Sequence, residues 1–218
     1  MFRQILFTNL RWTRLSLTAL SVVAFIAPAG LWRLANGIYH APQAPLVVRD
    51  GFVVLGPMLA LLAFVTGFVL VAQTWAEDSL SKHVYALSLP IPWSRYVGLR
   101  FGAGAVTLLL PTLALWLGSL FVLSQIELPV MLHAYPGTLA LRFLLGALLS
   151  YALVFMIQYL SGRRAALVLL SLFIGVIVFS FGMAFTGNGA ALSSATRWLR
   201  EWPGPLAVFA ADWMLIDV

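Results

Sequence analysis

Five apolar stretches, each long enough to cross a bilayer, decide what this 218-residue chain can fold into. A spanning helix needs about 20 predominantly apolar residues, because the hydrocarbon core is about 30 Å thick and each residue rises about 1.5 Å. Leu15–Leu34, Phe52–Trp75, Val97–Leu123, Leu139–Leu160 and Ala165–Phe185 reach that length. Composition excludes a soluble core as the alternative. The chain is 62% hydrophobic and 9% charged, whereas a soluble domain carries about 25% charged residues. The predicted fold class is therefore all-α integral membrane, a single polytopic transmembrane domain over 1–218. It comprises a five-span bundle within 15–187, an interfacial helix over 1–14, and an outer re-entrant or interfacial segment over 188–218.

Pro28, Pro57 and Pro111 fall inside the first three spans. Neighbouring helices can satisfy the backbone groups that a proline frees, so kinks are expected rather than breaks. Ahead of the first span, Phe2, Ile5, Leu6 and Leu10 follow helical spacing, and Arg3, Arg11 and Arg14 supply charge. That pattern predicts an amphipathic helix in the headgroup plane that turns into span one. A signal peptide ending at Ala27-Pro28-Ala29 is the alternative, but the basic region is long for one.

Charge sets the orientation. With the N-terminus inside, the inner flanks carry Arg3, Arg11, Arg14, Lys82, Arg95, Arg100, Arg163 and Arg164. The outer flanks carry Arg33, Arg49, Arg142, Arg197 and Arg200. The excess favours N-in, which makes 77–97 and the turn Gly162–Arg164 cytoplasmic. After the fifth span, Gly204–Val218 is short and holds Asp212 and Asp217. A charge at mid-span costs roughly 2.5–3.5 kcal/mol on insertion scales, so this stretch reads as an outer interfacial segment with Trp198, Trp202 and Trp213 as anchors. A sixth helix beyond residue 218 is the expectation.

Several chemistries have no residues to carry them. The net charge of +6 is spread between apolar stretches and forms no nucleic-acid patch. There is no cysteine, hence no thiolate metal site or cysteine nucleophile. No G-x-x-x-x-G-K-[ST] loop, H-E-x-x-H or G-x-S-x-G motif occurs. His40, His83 and His133 are scattered loop residues. No catalytic set, cofactor or metal is therefore predicted. No Asp, Glu or Lys lies within a span, which argues against an ion-coupled carrier. Tyr151 and Gln158 read as interhelical hydrogen-bonding residues, and Gly98-x-x-x-Gly102 as a place where helices approach closely, within the chain or between two copies.

One segment stands apart. Residues 77–97, EDSLSKHVYALSLPIPWSRYV, interrupt the apolar pattern between spans two and three. Glu77 and Asp78 suit a helix N-terminus, and Ser79–Leu87 can make two turns. Pro90 and Pro92 fix φ and bias Leu89 and Ile91 to extended geometry, which stiffens the exit. Trp93, Arg95 and Tyr96 then fall at headgroup depth. A polar, helical, rigidly mounted loop of this kind is a handle through which another subunit could push on the spans; the alternative is a solvated connector with no partner.

EDSLSKHVYALSLPIPWSRYVGLRF resembles the cytoplasmic loop of ABC-2 type transporter permeases. The matching residues are Glu77 or Asp78, Ser79 and Leu87-Ser88-Leu89-Pro90-Ile91-Pro92, with the basic residue late, at Arg95, and Trp93 near its usual place. The resemblance is sharp over about 25 residues, and the hydropathy pattern agrees over most of the chain. It implies a multi-pass subunit of the bacterial cytoplasmic membrane that pairs with a second permease, identical or related, amid membrane lipids. It further implies a cytoplasmic P-loop ATPase gripping a coupling helix, with the loop placed at 76–96. The residues implied in that contact are Glu77, Asp78, Ser79, Lys82, His83, Leu87, Ser88, Pro90 and Arg95. Arg163 and Arg164 form a smaller second contact. The chain itself would then be no enzyme but the membrane half of an ATP-driven exporter. A haem- or cofactor-maturation exporter subunit is a close variant. A non-transporting membrane scaffold is the alternative of a different class, and an intramembrane enzyme lacks any nucleophile, base or metal set.

Overall fold

A computed structural model of the chain describes residues 2–39, 45–80, 92–126, 133–159, 207–210, 213 and 215–217. It divides into two compact units, Met1–Val154 with Asp212–Val218, and Phe155–Ala211. In the first unit the long elements are α1 (Phe2–Tyr39), α2 (Pro45–Leu80), α3 (Trp93–Thr107), α4 (Leu109–Leu123) and α5 (Pro136–Tyr159), whose last turn belongs to the second unit. The second unit also holds the short helix α6 (Ala207–Ala210).

Four apolar helical segments have membrane length: Phe2–Leu34, Gly56–Thr74, Ser94–Leu123 and Pro136–Gln158. Each overlaps one of the first four expected spans, and the first begins at Phe2 instead of Leu15. The fifth, Ala165–Phe185, lies outside the described residues, as do Trp198 and Trp202. The helices are apolar on both faces. Leu59, Leu70, Leu115 and Phe143 are buried between them, while Phe7, Leu61, Leu117 and Leu141 point outward and are exposed. A helix that is hydrophobic all round belongs in lipid, where each helix satisfies its own backbone groups.

With lipid outside and apolar side chains inside, packing holds the bundle together, so small residues mark the closest approaches. A Cβ on Gly118 would lie 2.1 Å from the Phe25 carbonyl oxygen, which sets the α1–α4 contact. A Cβ on Gly67 would lie 2.0 Å from Ser150 Oγ and 2.3 Å from the Ala147 carbonyl oxygen, which sets the α2–α5 contact. Gly98 has nothing within 4 Å of such a position, and Gly102 meets only the Phe2 ring at 3.7 Å. The Gly98-x-x-x-Gly102 pair therefore makes no tight contact among the described residues.

The N-terminal segment departs from expectation. α1 is one helix from Phe2 to Tyr39, with no turn near residue 14. Part of its apolar face packs on protein: Ile5 is buried against Tyr96 and Ala103, with Leu6, Val97 and Leu99 around them, while Phe2 and Phe7 stay exposed. The buried positions Ile5, Asn9, Thr13 and Leu17 recur every four residues and continue directly into the span, so nothing in the contact surface calls for a bend.

The three prolines behave differently. α1 continues through Pro28 and α2 through Pro57. The third span is divided at Leu108, between α3 and α4. Pro111 has no N–H to give the Thr107 carbonyl and its ring crowds that oxygen. The chain tightens there, with Leu108 N–H donating to the Ala105 carbonyl at 3.3 Å, before Thr112 N–H resumes the helical pattern on Leu108 at 3.3 Å.

The opposite end of the bundle is closed by the tail. β1 (His133–Ala134) pairs antiparallel with β2 (Ile216–Asp217), His133 facing Asp217 and Ala134 facing Ile216. Tyr135 N–H adds a bond to the Leu215 carbonyl at 2.9 Å. Trp213, expected as an interface anchor, is 2% exposed. Its Cβ lies 2.9 Å from where a Cβ on Gly56 would be, so it packs on protein in the first third of α2.

Candidate functional site

The described structure frames both ends of the 77–97 loop. At the entry, α2 runs through Glu77, Asp78 and Ser79 to Leu80. These three therefore occupy the last turns of α2 and do not open a separate helix, so the expected dipole benefit at an N-terminus does not apply to the acid pair. No glycine or proline lies between Gly67 and Leu80 to stop α2 earlier. Lys82, His83, Leu87, Ser88 and Pro90 lie outside the described residues, as do Arg163 and Arg164. At the exit, Pro92 is extended, with φ −62° and ψ 143°, and it starts α3. Its carbonyl accepts the N–H groups of Arg95 at 3.0 Å and Tyr96 at 3.1 Å. Arg95 lies on the first turn, exposed, while Tyr96 turns inward and is buried.

Between these ends lies a buried cation. Arg100 is 2% exposed, one turn beyond Tyr96 on α3. Its Nη1 donates to the Tyr96 hydroxyl at 2.9 Å. Its Nη2 donates to the Thr74 carbonyl of α2. The guanidinium carbon is 5.8 Å from the Tyr96 ring centre and 6.0 Å from that of Trp12 on α1. Those separations lie at the outer limit of cation–π attraction, so the charge-assisted hydrogen bonds dominate. A backbone carbonyl has two lone pairs, and Thr74 can accept Arg100 without giving up its helical bond. One side chain thus joins three helices at the point where α2 leaves for the loop and α3 returns from it.

Further polar groups lie in the same quarter of the bundle. Gln73 Nε2 of α2 donates to Ser16 Oγ of α1. Asn9 Nδ2 and Gln73 Oε1 are buried with no hydrogen-bond partner among the described residues. Arg14 and Arg33 on α1 bracket a rise of about 28 Å, close to the hydrocarbon thickness, which puts this cluster at the headgroup boundary near Arg14.

Deeper in the bundle the polar groups are satisfied locally. The hydroxyls of Thr66, Thr107, Thr112, Ser119 and Ser150 donate to carbonyls three or four residues back in their own helices, at 2.6–3.0 Å. Tyr151 of α5 is buried and stacks obliquely on Phe101, with ring centres 5.4 Å apart. Among the described residues no cluster of His, Asp and Glu could hold a metal ion.

Sequence reasoning selected the loop and missed the Arg100 cluster. Comparison with protein families matches residues 49–202 to the ABC-2 family transporter proteins. The chain belongs to the ABC-2 transporter family. This ABC-2 protein is thus a multi-pass membrane permease-type component of transport, in a family whose members typically work with an ATPase partner. The match takes in α2 from residue 49, the 77–97 loop, α3, α4 and α5, and leaves out the whole of α1, with Trp12. No curated protein and no solved structure matches the chain.

Proposed function

We propose that this ABC-2 permease is the membrane subunit of an ATP-driven exporter, moved by a cytoplasmic P-loop ATPase that grips the 77–97 loop. The observation carrying this reading is the family match, which runs unbroken across the two helices flanking the loop. Closure of paired ATPases on two permease copies pushes each loop. The stiff exit at Pro92 passes the push to α3, and the Thr74–Arg100 contact passes it to α2. Glu77, Asp78, Ser79, Lys82, His83, Leu87, Ser88, Pro90 and Arg95 form the proposed grip, with Arg163 and Arg164 as the smaller contact. The bundle offers no internal carboxylate among its described spans, which suits an amphipathic or apolar cargo better than a coupled ion.

Placement in the bacterial cytoplasmic membrane with the N-terminus inside follows the charges. Arg3, Arg11, Arg14, Arg95 and Arg100 gather on the N-terminal parts of α1 and α3, at one end of the bundle. Arg33, Arg49 and Arg142 are at the other. That asymmetry is the positive-inside pattern. A fifth crossing by Ala165–Phe185 belongs to the same reading, on the length of its apolar sequence.

The test is co-purification in mild detergent, with ATPase assay and mass spectrometry of bound subunits, on the native chain and on a Glu77→Lys, Leu87→Asp double variant. A P-loop ATPase that binds the native chain and falls away from the variant supports the reading. If the native chain brings down other membrane proteins and no ATPase, the scaffold reading replaces it.

A further inference from the structure

We infer that Arg100 is a positioning residue that locks the two ends of the 77–97 loop together, so that a push on the loop moves α2 and α3 as one body. The inference deepens the exporter reading and rests on it for its role in transport, but the lock itself is independent of any partner. Three features carry it. The guanidinium is almost fully buried, so its bonds are not exchanged for water. Its two terminal nitrogens go to different helices, Nη1 to Tyr96 on α3 and Nη2 to the Thr74 carbonyl on α2. The α2 acceptor sits within two turns of the end of α2, and the α3 acceptor on the first turn after the loop. Sliding or parting α2 and α3 here strips a buried cation of a hydrogen bond, so the two ends resist separation more strongly than apolar packing alone would. Trp12 closes the third side and brings α1 into the same joint. A lysine at this position would keep the charge but lose the planar fork that reaches two acceptors at once.

The chain has no cysteine, so spin labels can be placed without background. Phe68→Cys on α2 and Ser94→Cys on α3 are both exposed positions. The Phe68–Ser94 distance distribution is measured in lipid nanodiscs for the full chain, alone and with its ATPase, before and after trapping with ATP and vanadate. For the native chain a narrow distribution is expected that does not change on trapping. Arg100→Lys and Tyr96→Phe are each expected to broaden it at least twofold without nucleotide. In the complex, Arg100→Lys is expected to make the distance nucleotide-dependent while ATP hydrolysis continues. Native-like widths in both variants would overturn the lock. A native distance that shifts on trapping as much as the variant's would overturn the one-body role. If Arg100→Lys does not fold, Tyr96→Phe, which keeps the ring and removes only the hydroxyl, carries the test. Failure of the native chain to bind an ATPase would count against the exporter reading alone, because the nucleotide-free widths still decide the lock.

Discussion

Replacing Gly67 by alanine tests the packing on which the bundle depends. The new methyl would sit 2.0 Å from Ser150 Oγ, 2.3 Å from the Ala147 carbonyl oxygen and 2.7 Å from the Tyr151 nitrogen. The hydroxyl could rotate away, but the other two are backbone atoms of α5 and move only with the helix. Ordinary contact begins near 3.4 Å, so α2 and α5 must part by roughly 1 Å, and a gap of that size forfeits a large share of the dispersion attraction along the whole contact. Overpacking of this kind costs about 1–3 kcal/mol, only partly offset by the gain of up to about 1 kcal/mol when alanine replaces glycine in a helix. The expected result is a lower midpoint in SDS unfolding followed by tryptophan fluorescence. Adding Ser150→Ala should recover little, since that side chain only bonds back to its own Ala147 carbonyl at 3.0 Å and the backbone clash remains. Gly30→Ala, with nothing within 4 Å, is the control and should leave the midpoint unchanged or raise it. A native midpoint for Gly67→Ala, or full rescue by Ser150→Ala, would refute the backbone-to-backbone approach of α2 and α5.

Pro111→Ala should rejoin α3 and α4 by returning a donor to the Thr107 carbonyl, stabilising that turn by up to about 3 kcal/mol, and amide exchange at Leu108–Thr112 should slow accordingly. Ser16→Ala should destabilise more than Gln73→Leu in the same SDS titration. The first strands a buried Gln73 Nε2, while the second also removes the unpartnered Oε1, so their costs should be about 1–3 and below about 1 kcal/mol respectively. Single cysteines at Ser94 and Gln125, both exposed and at opposite ends of the third span, should react with an impermeant thiol reagent from opposite sides of sealed vesicles, Ser94 from the cytoplasmic side. Labelling of both from one side would contradict the reading of Ser94–Leu123 as a span.

The four described spans were legible in the sequence because lipid imposes a one-dimensional requirement, a run of apolar residues of fixed length, that needs no knowledge of neighbours. The extended Pro92 ahead of α3 was legible for the same reason, since proline carries its own φ. Misreadings came where a partner decides. The apolar stripe Phe2, Ile5, Leu6 and Leu10 is equally suited to headgroups or to a neighbouring helix, and it is the nearness of Tyr96 and Ala103 that buries Ile5. Pro111 looked like Pro28 and Pro57, yet it alone divides its span. Nothing in the local residues distinguishes it.

Arg100 is the instructive omission. No Asp, Glu or Lys lies within the spans, but this arginine lies just inside the third, where it reads as an inner-flank charge. A cation buried among apolar side chains is expensive unless it is hydrogen-bonded, so its burial points to partners. The spacing supplied one partner, since Tyr96 and Arg100 are four apart on a helix and share a face. The second could not be read from any residue type, because it is the backbone oxygen of Thr74, an acceptor that every residue possesses. The third, Trp12, lies on a helix whose first turns had been assigned to the headgroup plane. Once α1 is straight, Trp12 reaches the loop ends, and the segment that seemed a membrane anchor becomes one wall of the joint that holds the loop. The family match, beginning at residue 49, leaves that wall out. The loop and the helices it joins lie within the matched residues, and the α1 wall set against them lies ahead of the match.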